Sequence, residues 1–252
     1  MEVSLPQELT DKIIDEVARD PVLRTATLQA SSLVSRAWVH RSQKYLLSEV
    51  KFDEGRFYDW CLTVRPGEDG PSRHVTCLHY RADDYSSYPT SLVEGDIYLS
   101  SFTNVQTLHL SNAGLEHVEY AFSLMRLRST IHSIVLRNCR MNINELVIFL
   151  RPFTNLENLS LRLPYTQQDP ELEKQGRIPT LKGRLDFEPD PETGEWPLMH
   201  GLSLLPLAFY DIVFRNFRSF SGGAQELLMA SRKTLTVIRI PTRKSSPVTP
   251  ST

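Results

Sequence analysis

One short phrase recurs along most of this chain: an apolar residue, any residue, then a second apolar residue, set inside a β-prone run. It stands at Val50-Lys51-Phe52, Leu78-His79-Tyr80, Leu108-His109-Leu110, Ile134-Val135-Leu136, Leu159-Ser160-Leu161, Leu185-Asp186-Phe187, Ile212-Val213-Phe214 and Ile238-Arg239-Ile240. The first residues of successive copies are 28, 30, 26, 25, 26, 27 and 26 positions apart. Few folds are open to a chain with one short strand at so steady an interval. The period implies a solenoid, in which neighbouring units stack their strands into one parallel sheet. Apolar triplets arise by chance, but two copies sit in one longer phrase: Thr103-Asn104-Val105-Gln106-Thr107-Leu108-His109-Leu110 and Thr154-Asn155-Leu156-Glu157-Asn158-Leu159-Ser160-Leu161.

The intervals have the spacing of helices. Leu115, Val118, Phe122 and Met125 share one helical face. Asn142 with Glu145 three residues on reads as a cap for a helix carrying Ile143, Leu146, Val147 and Leu150, which Pro152 ends. Pro197 fits a first turn before Leu198, Leu202 and Leu205, and Ser221 precedes a last helix with Leu227, Leu228 and Met229. Ten core positions follow: Leu108, Leu110, Ile134, Leu136, Leu159, Leu161, Ile212, Phe214, Ile238 and Ile240. Two stretches break the rule. Residues 163–179 (LPYTQQDPELEKQGRIP) and 188–197 (EPDPETGEWP) read as irregular surface connections. Residues 242–252 belong to a Ser-, Thr- and Pro-rich tail expected to be disordered.

The first fifth of the chain has a different grammar. Ser4 and Gln7 have capping-box spacing, with Pro6 in the first helical turn. Leu9, Ile13, Ile14 and Val17 recur as one apolar stripe, and Asp20-Pro21 stops that helix. A second pattern runs through Leu28, Leu33, Val34 and Trp38, and a third through Val39, Tyr45, Leu46 and Val50. Three helices in under fifty residues cannot bury all their apolar surface alone. Some of it must meet the rest of the chain or a partner.

The ordered blocks Leu5-Pro6-x-Glu8-Leu9, Ile13-Ile14 and Leu33-Val34-Ser35-Arg36-x-Trp38 resemble the F-box. Together with the repeats, including Gly222-Gly223-Ala224-Gln225 and Lys233-Thr234-Leu235, the chain resembles F-box proteins with weak leucine-rich repeats, of the kind abundant in mushroom-forming fungi. The resemblance implies an α/β fold with an F-box at 1–50 and a leucine-rich-repeat-like solenoid at 51–241. It implies docking of Leu5, Pro6, Leu9, Ile13, Leu33, Val34 and Trp38 on a Skp-type adaptor of a cullin (SCF) ubiquitin ligase core, with the repeats holding a protein substrate. The alternative is a solenoid scaffold unrelated to ubiquitination, in which these helices cap the first strand. The chain runs out after Ile240 without a polar capping repeat, and so reads either as a short member or as an incomplete one.

Composition limits other readings. A net charge of −2 argues against a general nucleic-acid or membrane-surface binder. No apolar run is long enough to span a bilayer. MEVSLPQELTD lacks the basic-then-apolar order of a signal peptide, so the expected location is cytoplasmic or nuclear. Cys61, Cys77 and Cys139 are odd in number and widely spaced, as buried thiols would be, without a disulfide or zinc pattern. No phosphate loop or nucleophile elbow occurs, so no enzyme and no cofactor are expected. His74 and His79 flank Cys77 like a metal corner. Alternation within a strand explains them more simply, because three or four ligands are needed and no further cluster lies near in sequence.

One column remains. The residues just after the triplets include Arg81, Arg137, Arg162 and Arg215. Parallel strands lie about 4.8 Å apart, so arginines in one phase would form an anion-accepting edge for an acidic or phosphorylated substrate segment. The plainer reading is a solvated edge balanced by Glu157, Asp186 and Glu188.

Overall fold

A computed structural model describes residues 5–20, 22, 24–34, 36–63, 70–82, 99, 101–113, 127, 129–139, 141–162, 180–187, 202–203, 205–214 and 222–240. The architecture is α/β. Helices α1 (Gln7–Arg19), α2 (Arg24–Val34) and α3 (Arg36–Leu46) precede strand β1 (Glu49–Asp53) and helix α4 (Glu54–Thr63). Strands β2 (Cys77–Arg81), β3 (Thr107–Ser111) and β4 (Ser133–Arg137) lead to helix α5 (Ile143–Leu150). Strands β5 (Asn158–Arg162), β6 (Leu181–Phe187) and β7 (Leu207–Phe214), helix α6 (Gly222–Ser231) and strand β8 (Val237–Arg239) complete the order. All eight strands pair in parallel, in sequence order, in one open sheet.

The triplets set the register. Val50, Leu78, Leu108, Ile134, Leu159 and Leu185 are aligned across β1 to β6, and Ile212 and Ile238 continue the row. Side chains alternate across a strand, so both apolar residues of a triplet face one layer while the middle residue faces the other. Leu78, Tyr80, Leu108, Leu110, Ile134, Leu136, Leu159, Leu161, Ile212 and Phe214 are buried in one continuous core. The middle residues Lys51, His79, His109, Val135 and Ser160 line the open face.

The repeated Thr-Asn phrase has a structural cause. Asn104 donates its side-chain amide to the Arg73 carbonyl at 2.7 Å, and Asn155 makes the equivalent bond to Ser129 at 2.9 Å. Each ties its unit to the preceding one. A backbone ladder runs beside these bonds. The carbonyls of Ser48, Thr76, Gln106 and His132 each accept two successive N–H groups from the next unit. Val75, Val105, Ile131 and Leu156 are buried just ahead of the strands.

Helix α5 has the expected capping box: Asn142 Oδ1 accepts from the Glu145 N–H and the Glu145 carboxylate accepts from the Asn142 N–H. Its buried face is Ile143, Leu146, Phe149 and Leu150. Helix α4 starts where Asp53 Oδ1 accepts the Arg56 N–H at 2.8 Å, and it buries Phe57 beneath Phe52 and Tyr80. Leu202, Leu205 and Leu227 join the core, whereas Met229 is exposed. The expected helix at 115–125, the connections at 163–179 and 188–197, Pro197, Leu198, Ser221 and the tail lie outside the described residues.

Four local expectations are corrected. Pro6 is the N-cap of α1, in extended conformation, rather than part of its first turn; Gln7 opens the helix and bonds Asp11 instead of forming a capping box, and Ser4 lies outside the described residues. Leu28 and Trp38 belong to two helices, α2 and α3. Val50 belongs to β1, not to the third helix. Ile238 and Ile240 are exposed, Ile238 at 47%, because β8 is the last strand in the order and, among the described residues, has a neighbour on one side only.

The sheet has one irregularity. The register shifts between Gly183 and Arg184, where β7 has Tyr210 as an extra residue. Gly183 has φ 97°, a left-handed conformation, and a Cβ there would collide with the Glu157 carbonyl. That close approach lets the Arg184 N–H reach Glu157 O at 2.8 Å and continue the carbonyl ladder past the bulge.

Candidate functional site

The N-terminal helices are fixed by a polar clasp. Asp15 on α1 accepts two hydrogen bonds from Arg41 on α3, each at 2.8 Å, and one from the Tyr45 hydroxyl at 2.8 Å. These donors hold the Asp15 carboxyl down to about 2. Arg24 on α2 donates to the Tyr45 carbonyl and to Ser48 Oγ, which joins the third helix. Ser48 is also the first rung of the carbonyl ladder, so the bundle is attached directly to the sheet.

With the bundle so held, α1 divides its apolar residues between two faces. Thr10 and Ile14 are buried, and Val17 is half-buried. Leu5, Leu9 and Ile13, four residues apart, are exposed. Leu33 and Val34 at the end of α2 are exposed as well, while Leu28 and Ser31 point inward. Leu5, Leu9, Ile13, Leu33 and Val34 are between 42% and 87% exposed. Pro6 is exposed, and Trp38 is half-buried on α3. The single stripe expected from Leu9, Ile13, Ile14 and Val17 is therefore two stripes. Of the motif residues, Leu5, Pro6, Leu9, Ile13, Leu33 and Val34 are surface residues of the bundle, whereas Ile14 belongs to its core.

The arginine column is partly visible. Arg137 and Arg162 are aligned neighbours on β4 and β5, and Arg81 stands two strands from Arg137 with Ser111 between. Arg81 and Arg137 are exposed; among the described residues neither forms an ion pair. Arg162 is half-buried and has contacts of its own. Arg215 and Glu188 lie outside the described residues. Glu157 lies 3.7 Å from His132, and Asp186 lies 3.7 Å from Arg184.

A third group was not anticipated as a unit. Cys77 and His79 share the open face of β2, as alternation implies, and the register sets His109 of β3 beside His79. The two imidazoles stack at 4.0 Å between centroids, 22° from parallel. His109 is thirty positions from His79 in sequence, which hid it from a search for nearby ligands. The signal that would have found it is the middle position of consecutive triplets. His74 is elsewhere, in the single-turn 3-10 helix Pro71–His74, edge-on to His40. Cys139 is a buried thiol, and the side chain of Cys61 lies outside the described residues.

No family model matches the chain, and no curated protein matches it. Among the described residues, no helix is long and apolar enough to cross a membrane.

Proposed function

We propose that this chain is a non-catalytic, substrate-recruiting subunit of a cullin-type ubiquitin ligase, docking by its N-terminal helices on a Skp-type adaptor and holding a protein substrate on its solenoid. The observation that carries this reading is the exposure of Leu5, Leu9, Ile13, Leu33 and Val34. These are five residues of the F-box-like blocks, and they lie outside the bundle's own packing. If the helices served only to cap the first strand, the same residues would be core. Contiguous exposed apolar side chains mark interaction surfaces. Fully burying each such side chain contributes about 1.5–3 kcal/mol, so covering these five contributes several kcal/mol towards docking.

The mechanism is proximity. The bundle is attached to the sheet through Ser48, so a substrate held on the repeats is carried at a fixed place relative to the adaptor. On the substrate side the reading assigns Arg137, with Arg81 and Arg162 near it, to an acidic or phosphorylated segment. The experiment is co-purification with the adaptor from cells. The wild-type chain should recover it and the Leu5→Ala, Pro6→Ala, Leu9→Ala triple variant should not. A folded chain that never recovers the adaptor would leave the scaffold reading in place.

A further inference from the structure

The open face of the first three strands carries four metal-ligand side chains in two rows. Glu49 and Cys77 are register partners on β1 and β2; His79 and His109 are register partners on β2 and β3. Cys77 and His79 are two residues apart on one strand and so share a face. Cys77 Sγ lies 3.3 Å from His79 Nε2, and Glu49 Oε1 lies 3.1 Å from the same nitrogen. One donor atom each from Cys77, His79 and His109 falls within 4.8 Å of the other two. Around a tetrahedral zinc ion, with bonds of about 2.0–2.3 Å, neighbouring donor atoms stand roughly 3.3–3.8 Å apart. The Cys77–His79 pair is already at that spacing. No separation among the three exceeds 4.8 Å, so binding closes the longest by at most about 1 Å, and the stacked His79 and His109 rings must rotate apart for their lone pairs to converge on one ion.

We propose that Cys77, His79 and His109 bind a divalent zinc ion, with the Glu49 carboxylate as the fourth ligand. The donor set is one thiolate, two imidazoles and one carboxylate, a combination suited to zinc. Its two negative charges neutralise the ion, so the loaded half-buried site carries no net charge. Burial lowers the pKa of both imidazoles, His109 to about 4, which disfavours the doubly protonated form that cannot hold a metal. Burial and Glu49 push the Cys77 thiol up to about 11. Binding therefore replaces the thiol proton by the ion: the S–H bond breaks, a Zn–S bond forms and one proton leaves to solvent. Two cations oppose it. Lys51 Nζ lies 3.1 Å from Glu49 Oε1 and competes for the carboxylate, and Arg137 acts on His109 across the sheet.

The test is titration of the purified full chain with zinc ion by calorimetry, in two buffers of different ionisation enthalpy, alongside cobalt(II) spectroscopy. The expected result is one ion per chain, about one proton released, and a thiolate-to-cobalt charge-transfer band. Cys77→Ser should abolish the band. His109→Ala should weaken zinc binding at least tenfold, and Lys51→Ala should strengthen it. Circular dichroism checks that each variant is folded. Absence of stoichiometric zinc binding or of the thiolate band in the wild-type chain overturns the proposal, even if a variant fails to fold. Binding that survives Cys77→Ser with His109→Ala, or that disappears in Cys61→Ser, overturns it equally. Adaptor recovery tests the docking reading separately and does not depend on the outcome.

Discussion

The helical bundle and the sheet treat their apolar patterns in opposite ways. In the sheet, the repeated residues go inside: Leu108, Leu110, Leu159 and Leu161 are at most 1% exposed. In the bundle, the motif residues Leu5, Leu9, Leu33 and Val34 stay outside, while the interior includes Thr10, Ser31 and Ser42 beside Ile14 and Leu28. A strand has two faces, and a triplet commits both its apolar residues to the same one. A helix has a continuous circumference, so Leu9 and Ile14 can serve different neighbours. An apolar pattern thus shows that surface will be covered; the geometry of the element decides by what.

Truncation is the strongest way to break the contrast. Leu161→Ala should cost on the order of 2–5 kcal/mol, as for other buried leucines. Leu9→Ala or Leu33→Ala should change the stability of the isolated chain by less than about 1 kcal/mol. Chemical denaturation of the three variants measures both sides. Equal losses at Leu161 and Leu33 would mean that the bundle's exposed face is really packed.

The next effect comes from backbone rather than side chain. Gly183→Ala combines a left-handed φ with a collision at the Glu157 carbonyl, and should destabilise by roughly 3 kcal/mol. A thermal melt at the level of wild type would show that the bulge is not formed as described.

Acid should act on the bundle first. The folded Asp15 carboxyl is held at about 2 by Arg41 and Tyr45, below its usual 3.8. A depressed carboxylate contributes stability above its unfolded pKa, and that stability is lost as pH falls through the folded value. The window is therefore about pH 4 to pH 2. Because the pair is partly solvated, the contribution should be about 1–2 kcal/mol. Asp15→Asn should lower stability at pH 6 and remove most of the difference between pH 5 and pH 2.5. A wild-type chain equally stable at both values would contradict the clasp.

The smallest effects belong to exposed positions of the sheet. Ile238→Ala should cost less than about 1 kcal/mol, unlike its register partner Ile212. Arg137→Ala with Arg162→Ala should weaken binding of a recovered substrate, more at low salt than at high salt. Salt-independent loss, or none, would remove the anion-accepting edge.

Much of the sheet was legible because burial on one face forces a period of two, and stacking forces a constant interval. The phrase Thr154–Leu161 even carried its inter-unit bond in plain view, since the asparagine shared by the two phrases, Asn104 and Asn155, makes that bond in both. What could not be read was anything decided by a neighbour. Ile238 has the same spelling as Ile212, yet among the described residues it has no strand on its far side. Ile14 and Leu9 are equally apolar, and only the docking of α3 through Asp15 and Arg41 sorts them. His79 and His109 look isolated along the chain and become adjacent only when the register is known. Gly183 gave no local turn signal, because its role is set by a carbonyl from the previous unit.

The carbonyl ladder also bears on how the molecule comes apart. Each rung joins one unit to the next, and none skips a unit. Among the described residues, opening β5 on its own would break rungs and side-chain packing on two sides, whereas opening β8 breaks them on one. Amide hydrogen exchange should therefore form a gradient rather than a plateau: slow at Glu157 and Asn158, which bond the His132 carbonyl in mid-sheet, and fast at Thr236, whose bond to Tyr210 holds the final strand. Unzipping would begin at β8 and proceed inward, leaving the bundle and the first strands together for longest.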